Sequence, residues 1–408
     1  MGSTDTTTVL WRDSPSSWRN PRLAGRIPEL NGIRGLAILL VLMYHYVYVI
    51  AQPADRSWQA YLAAFFRLGW SGVDLFFVLS GLLIGGILLD AKGAENYYRT
   101  FYAHRFYRIA PLYFICLLLF YAGLYWMPAD PASTPRMIFT GALPAWAYPF
   151  FVQNFFVASR HTFGAIWMIV TWSLALQEQF YLLLPTAIRM LSSKGIVRLA
   201  LIAIIGAPIV RIGFYLSGNL FYAPYVLLPS RMDALGLGVL LAVAIRNKQA
   251  WTWLAMRRKY LYSLFLVLGV GMVGFSVHTT MAIMAGVGYS WAAAFYASMI
   301  LLVIVEPGRL ERRIFQSYPL VRLGTISYGV YLFHQGINAL LHAAFFGRLA
   351  VLDSWASLGV TVLALLAVLL VASISWQVFE KPLHQRSHRK FRYTIPAGES
   401  LTTPAANG

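Results

Sequence analysis

Long apolar stretches recur along this 408-residue chain, and short polar segments separate them. Many of these stretches approach the ~20 residues that an α-helix needs to cross a hydrocarbon core of ~30 Å. No polar segment between them is long enough to form a separate soluble domain. The pattern therefore predicts an all-α, polytopic integral membrane protein with about ten transmembrane helices. We place the spans near residues 34–50, 70–89, 109–127, 166–189, 199–216, 228–245, 260–278, 281–304, 323–345 and 355–379.

One apolar stretch, residues 138–156, does not fit this series. Pro144 and Pro149 interrupt it, and no strongly basic segment follows it. We interpret it as an external re-entrant or interfacial piece, since irregular backbone is tolerated only where protein or water surrounds it. Counting it as a span would invert the orientation of every later helix.

Composition agrees with a membrane protein, because 59% of the residues are hydrophobic and only 12% are charged. Soluble domains carry about 25% charged residues. The net charge of +18 could indicate nucleic-acid binding, but the distribution of the basic residues argues against it. With the N-terminus inside, 26 of the 33 Lys and Arg residues fall in cytoplasmic segments. By the positive-inside rule, this predicts a multi-pass protein of the cell membrane with both termini cytoplasmic and no nucleic-acid partner.

The chain divides into three parts by composition. Residues 1–26 form a cytoplasmic polar N-terminal segment, and residues 27–385 form the membrane domain. Residues 386–408 form a cytoplasmic tail that is basic at first and then disordered. The lone cysteine, Cys116, excludes an intrachain disulfide. The oligomeric state stays open.

Arg34 and His45 are the leading candidates for chemistry in the first span. They lie eleven residues apart, which is three helical turns plus ~20°, so both should lie on one helix face. His45 should then sit ~16 Å beyond Arg34, at about half the depth of the hydrocarbon core. An ionisable ring there is costly to hold and indicates a functional site. Neutral imidazole is a suitable general base, with an unperturbed pKa of ~6.5.

Further polar side chains recur at overlapping depths on several spans. An unpaired charge near mid-depth costs ~3 kcal/mol on insertion scales, so these groups should face one another, Arg211 or a water-filled space. Helix-packing ion pairs and a hydrogen-bonded interior histidine remain alternative explanations. Together the groups predict an internal polar cavity. The candidates are Asp74, Glu178, Arg231, Asp233, Tyr331 and His334.

The internal loop before the third span contains Arg105 and Arg108. Because they are three residues apart, they project together if the segment is helical. Two clustered guanidinium groups suit a phosphate, and the adjoining aromatic rings could pack a nucleobase or an apolar tail. The alternative is that both arginines snorkel to the membrane surface.

Taken in order, these strings resemble the acyltransferase-3 family of integral membrane acyltransferases, over roughly residues 27–385. Any one string is weak, but seven in the right order are specific. They are Leu30–Ala37 with its spacing to His45, Gly72–Gly81, Arg105–Pro111, Trp172–Tyr181, Arg231–Leu235, Ile326–His334 and Glu380–Pro382.

The resemblance implies transfer of an acyl group, often acetyl, from a coenzyme A thioester to a hydroxyl group. Acceptors in the family include sugars of surface polysaccharides, lipid-linked glycans and macrolides. His45 matches the catalytic histidine and Arg34 its partner, while Arg105 and Arg108 match the pair linked to coenzyme A. The implied partners are membrane lipid, a hydroxylated acceptor and acyl-CoA as co-substrate, with no bound cofactor and no metal.

Two positions depart from the family pattern. Asn31 replaces the usual aspartate, and Gln177 stands where the family usually has a glutamate, with Glu178 next to it. A step of one residue turns a side chain ~100° around the helix, so the role of Glu178 stays open. Gln177 joins the cavity candidates because it can still donate a hydrogen bond. The competing hypothesis is a transporter or flippase of an acylated or glycosylated lipid.

Overall fold

The structure is a computed structural model that describes residue 20 and residues 27–51, 58–126, 133–218, 221–277 and 280–394. Ten long helices dominate it, and no β-strand occurs within these ranges. The ten are α1 (Pro28–Met43), α2 (Gly72–Asp90), α3 (Tyr97–Trp126), α4 (Thr171–Met190), α5 (Ser193–Ser217), α6 (Leu228–Ala244), α7 (Arg258–Val277), α8 (Tyr289–Ile304), α9 (Ser327–Phe346) and α10 (Trp355–Ser375).

Short elements join these helices. A π-helical turn, Tyr44–Tyr48, continues α1, and another, Trp376–Glu380, links α10 to a final helix. The other short helices are Trp58–Phe66, Arg67–Ser71, Thr134–Phe139, Ala145–Ala147, Gln153–Arg160, Ile166–Met168, Ala223–Val226, Lys248–Met256, Met281–Ile283, Met284–Gly288, Arg309–Phe315, Tyr318–Thr325 and Lys381–Lys390. The stretch 138–156 therefore contains only short pieces and no spanning helix, as the prolines predicted.

Eight helices in the described ranges are long and apolar enough to cross a membrane, against the ten that were predicted. The two that fall short are α4 and α9, each of 20 residues. Their length suffices, but they carry polar side chains such as Gln177, Glu178 and His334. The described chain is thus an all-α, multi-pass membrane protein.

Capping side chains and glycines determine where several of the helices begin and end. The Ser192 hydroxyl accepts a hydrogen bond from the Gly195 amide at 3.2 Å and so caps the start of α5. Ser354 and Ser357 form a capping box at the start of α10. Glycines in the left-handed region, Gly218 and Gly347, end α5 and α9.

A close helix crossing joins α2 and α6 through Gly81 and Gly238. A Cβ atom on Gly238 would lie 2.2 Å from the Val78 carbonyl oxygen, and one on Gly81 would lie 2.1 Å from the Leu235 carbonyl oxygen. Small residues permit such backbone contact in membranes, where packing rather than the hydrophobic effect drives helix association. This crossing fixes the rotation of α2 about its axis and so determines which of its side chains face the interior of the bundle.

The ends of the chain are covered only in part. Residues 1–19 and 395–408 lie outside the described ranges, so most of the N-terminal segment and the disordered tail stay predictions. The helix Lys381–Lys390 packs on α3. The backbone after it pairs with the start of α3, where Asn96 Nδ2 donates to the Arg392 carbonyl oxygen at 2.7 Å.

Candidate functional site

A cavity of about 270 Å³ lies among α1, α2, α3, α4 and α9. One side of it is apolar and the other carries arginine, hydroxyl and amide groups. The lining residues are Arg34, Val73, Phe76, Leu79, Ser80, Leu83, Ile84, Ile87, Arg105, Arg108, Ile109, Ser173, Leu174, Gln177, Tyr181, Ser327, Tyr328 and Tyr331.

The cavity extends along most of α2. Val73, in its first turn, and Ile87, in its last, both line the cavity and lie fourteen residues apart. At ~1.5 Å per residue this is ~21 Å, which is most of a ~30 Å hydrocarbon core. A molecule entering at one end of the bundle could therefore reach groups near the other end.

Three arginines, Arg34, Arg105 and Arg108, meet at one end of this cavity. No carboxylate of the described chain lies within 4.0 Å of any of them. The Arg105 Nε atom is buried and has no hydrogen-bond partner there. Glu380 lies near enough to Arg34 and Arg108 to interact with them electrostatically. A concentration of guanidinium groups with spare donors suits an anionic ligand with several oxygens, such as a phosphate.

The segment around Arg105 corrects one prediction. It was expected to be an internal loop, but it forms the first turns of α3, which begins at Tyr97 rather than near residue 109. The helix tolerates Pro111 in its interior. Arg105 and Arg108 nevertheless lie on one side of the helix, as their spacing of three residues predicted, and both line the cavity.

Hydroxyl and amide groups lie further along the cavity. The Ser173 and Tyr331 hydroxyl oxygens are 2.5 Å apart, and Tyr331 also donates to the Val170 carbonyl oxygen at 3.1 Å. Gln177 follows Ser173 by one helical turn and lines the same cavity. Neutral donors in such a place can polarise a carbonyl group without adding charge to the membrane interior.

His45 lies beside this end of the cavity but does not line it. It belongs to the π-helical turn Tyr44–Tyr48, a type of turn that is frequent at functional sites. Its Nδ1 atom is 3.0 Å from the Val41 carbonyl oxygen and 3.1 Å from Nε2 of His334. His334 is fully buried, and its Nδ1 atom lies 2.8 Å from the carbonyl oxygen of Tyr331. Hydrogen bonds through His334 and the Tyr331 carbonyl oxygen thus link His45 to a residue that lines the cavity.

The mid-depth position of His45 in the membrane stays a prediction, and the structure gives its place along the helix. Because α1 begins at Pro28 rather than near Arg34, His45 lies three residues before the end of the π turn and not at mid-helix. The common helix face of Arg34 and His45 likewise stays a prediction, although only Arg34 lines the cavity. Arg34 faces the cavity, whereas the His45 ring contacts α9.

Asp74, Arg231 and Asp233 form a separate buried cluster with Arg211 and Ser290. Arg231 pairs with Asp74, and Arg211 Nη1 donates to Asp233 Oδ2 at 2.8 Å. Ser290 donates to the same Asp233 oxygen at 2.6 Å. All four charged side chains are at most 1% exposed. The expectation that these groups face one another is confirmed, but Asp233 pairs with Arg211 rather than with its neighbour Arg231, and none lines the cavity.

Three further side chains, those of Glu178, Ser173 and Glu380, differ from the prediction in whether they belong to the site. Glu178 does not line the cavity, and its Oε1 atom is buried without a hydrogen-bond partner in the described chain. Ser173 and Glu380 were not predicted as site residues, although both lie within the quoted strings. Ser173 could have been found from the sequence, because it lies one helical turn before Gln177, whereas only the fold brings Glu380 close to α1 and α3.

No cluster of three or more His, Cys, Asp or Glu side chains within the described ranges could hold a metal ion.

Residues 27–376 match the family model described as an acyltransferase domain, that of acyltransferase family 3. The match covers most of the chain. This protein therefore belongs to that family of acyltransferase enzymes, which favours the enzyme hypothesis over the transporter hypothesis.

Curated relatives agree with this assignment. The chain is 25% identical to an O-acetyltransferase OatA of Staphylococcus aureus (strain COL), over 90% of this chain and 58% of the relative. It is 24% identical to a putative O-acetyltransferase of the same strain, over 88% of this chain and 57% of the relative. The chain therefore spans little more than half the length of these relatives. No solved structure matches it.

Proposed function

We propose that this protein is a membrane-bound O-acyltransferase. In this proposal it moves an acyl group, most readily acetyl, from acyl-CoA to a hydroxyl group of a glycan, lipid-linked sugar or macrolide-like acceptor. One observation carries the proposal. The cavity, whose lining extends over ~21 Å of α2, contains three arginines with no carboxylate of the described chain within 4.0 Å and a hydroxyl pair, one member of which belongs to a residue that contacts a linked imidazole pair.

The arginine end is the proposed donor site. The phosphates of acyl-CoA would contact Arg34, Arg105 and Arg108, and the pantetheine arm would follow the apolar side of the cavity. This assigns Arg34 to phosphate binding. The donor then enters from the cytoplasm if the positive-inside orientation holds.

The far end is the proposed reaction site. His45, which adjoins this end without lining the cavity, takes the proton of the acceptor hydroxyl while that oxygen attacks the thioester carbonyl carbon. A carbon–oxygen bond forms, the carbon–sulfur bond breaks, and the departing thiolate takes the proton back from His45. The Ser173 hydroxyl donates within the protein, to Tyr331 or to the Val170 carbonyl oxygen, and by turning its hydrogen towards the substrate it can stabilise the negative charge on the carbonyl oxygen. Acceptors would approach from the side of the bundle opposite the arginines.

The first prediction concerns His45. Purified protein supplied with acetyl-CoA and a panel of hydroxylated acceptors should transfer acetyl, and His45→Ala should lower kcat by about 10²-fold or more, since a positioned general base contributes about 10²–10⁴. Mass spectrometry of the products measures transfer. A matched control is His342→Ala, which removes another buried histidine, one bonded to Thr361 at 3.0 Å and far from the cavity lining. Normal turnover by His45→Ala would remove the imidazole from the mechanism.

A further inference from the structure

We propose that His334 is the positioning residue for His45. It is a neutral imidazole that accepts a hydrogen bond from His45 and thereby decides which His45 nitrogen receives the substrate proton. The proposal rests on the proposed function, in which His45 is the base. It adds a role for a residue that neither the family match nor the cavity lining assigns.

The protonation of His334 follows from its partners. Its Nδ1 atom is 2.8 Å from the Tyr331 carbonyl oxygen, and a carbonyl oxygen can only accept a hydrogen bond. Nδ1 of His334 therefore carries the proton and donates it. In a neutral ring the other nitrogen, Nε2, then presents a lone pair, and this is the atom that faces His45 at 3.1 Å.

The protonation of His45 follows in turn. Its Nδ1 atom faces two acceptors, the Val41 carbonyl oxygen at 3.0 Å and the lone pair on His334 Nε2. Nδ1 of His45 must therefore carry the proton, in a hydrogen bond shared between the two. The basic lone pair of His45 is then on Nε2, the nitrogen that points away from His334. A proton on His334 Nε2 would meet the His45 N–H and break this arrangement.

Packing and a neighbouring hydrogen bond hold the two rings in place. His334 is 0% exposed, so packing fixes its ring. The Tyr46 hydroxyl, next to His45 in the chain, donates to the His334 carbonyl oxygen at 2.8 Å. The ring centroids of His45 and His334 are 5.0 Å apart. The bond between the imidazoles is thus set by contacts that do not depend on substrate.

A histidine suits this place better than a carboxylate would. When His45 takes a proton, the His334 lone pair and the Val41 carbonyl dipole can stabilise the positive charge. Before and after that moment both rings are uncharged, so the pair avoids the cost of a permanent carboxylate within a membrane bundle. The orienting role that a carboxylate has in serine-protease triads is here held by a neutral ring.

The test compares side chains that keep or remove the acceptor atom. Glutamine places its amide oxygen near the position of Nε2, whereas asparagine reaches only the position of Nδ1. We expect His334→Gln to keep kcat within about tenfold, and His334→Asn and His334→Leu to lower it by about 10²-fold. The KM for acetyl-CoA should change less than threefold in all three, because the arginine end of the cavity is untouched.

A spectroscopic measurement separates positioning from stability. In protein labelled with ¹⁵N-histidine, the His45 signal should report an N–H at Nδ1 in the wild type and in His334→Gln. It should show a mixture of tautomers in His334→Leu. Thermal unfolding of each variant in detergent shows whether folding is intact.

Three outcomes would overturn the proposal: wild-type His45 protonated at Nε2, equal kcat for the glutamine and leucine variants, or a loss shared with unfolding. Failure of the proposed function gives a different result. In that case the wild type transfers no acetyl group, or His45→Ala transfers it normally, whatever the tautomer. A double variant gives a last check, since His334→Leu should cost little more once His45→Ala is present.

Discussion

The three arginines of the cavity differ from the buried Arg211 and Arg231 because no carboxylate of the described chain lies within 4.0 Å of them, although Glu380 and Glu178 are near enough to interact electrostatically. Inside a membrane bundle, cations usually pair with carboxylates, as Arg211 and Arg231 do here. Arg34, Arg105 and Arg108 instead line open space without an ion pair within 4.0 Å. This arrangement supports the proposed phosphate-binding role of the three arginines.

Replacing Arg105 and Arg108 together by glutamine should raise the KM for acetyl-CoA more than tenfold. Charged hydrogen bonds contribute about 1.5–3 kcal/mol each, and the two substitutions remove at least two of them. Initial rates over a donor titration measure this effect. The acceptor KM should stay unchanged.

Arg99→Gln is the matched control for this pair. Arg99 lies on the same helix, is exposed and stacks over Phe391 rather than lining the cavity. It should leave the donor titration as in the wild type. If the paired variant behaves like the control, the arginines do not bind the donor.

At the scale of helices, close packing places the site. The α2–α6 crossing relies on backbone contact at Gly81 and Gly238, where the nearest atoms of the other helix are backbone atoms. The same α2 helix provides the apolar side of the cavity and carries Asp74 to the buried ion cluster. A change in this crossing would therefore disturb both.

Gly238→Ala should destabilise the protein by about 1–3 kcal/mol, the usual cost of overpacking a core. The added Cβ would lie 2.2 Å from the Val78 carbonyl oxygen, and backbone cannot move aside as a side chain does. Thermal unfolding in detergent, or the yield of folded protein, measures the effect.

Gly213→Ala is the comparison, since its Cβ would meet nothing within 4 Å. It should be neutral or slightly stabilising, because alanine is the better helix former by up to about 1 kcal/mol. Equal stability of the two variants would show that the crossing tolerates separation.

At the scale of the whole molecule, the distribution of basic residues predicts which side faces the cytoplasm. Helix α5 offers a direct test, because Ser193 and Ser217 are exposed at its two ends. Its 25 residues extend ~38 Å, which is longer than the hydrocarbon core. The native Cys116 is buried and can be removed first as Cys116→Ala.

In that background, a membrane-impermeant maleimide added to intact cells should label Ser217→Cys and not Ser193→Cys. Both should be labelled after the cells are opened, which shows that each position is reactive. The reverse pattern in intact cells would place the arginine end of the cavity outside, where acyl-CoA is not supplied.

The sequence by itself determined the class of the molecule. Apolar runs of membrane length, the low charged content and the quoted strings depend on composition and order alone, and they predicted a polytopic helical acyltransferase. The same local information predicted that Arg105 and Arg108 act together, since a spacing of three residues holds on any helix. Helix length alone did not determine how many helices qualify as membrane spans, because α4 and α9 are long enough but have polar side chains where the other helices have apolar ones.

Only the tertiary structure decided which polar groups meet. His45 and His334 are 289 residues apart in the chain, and no periodicity links them. The same is true of Asp74 and Arg231, which are 157 residues apart, and of Glu380 near Arg34. Burial forces polar groups to find partners, but which partner each one finds depends on how the helices cross. The helix crossings therefore separate the ion cluster from the cavity and place His45 against a second imidazole.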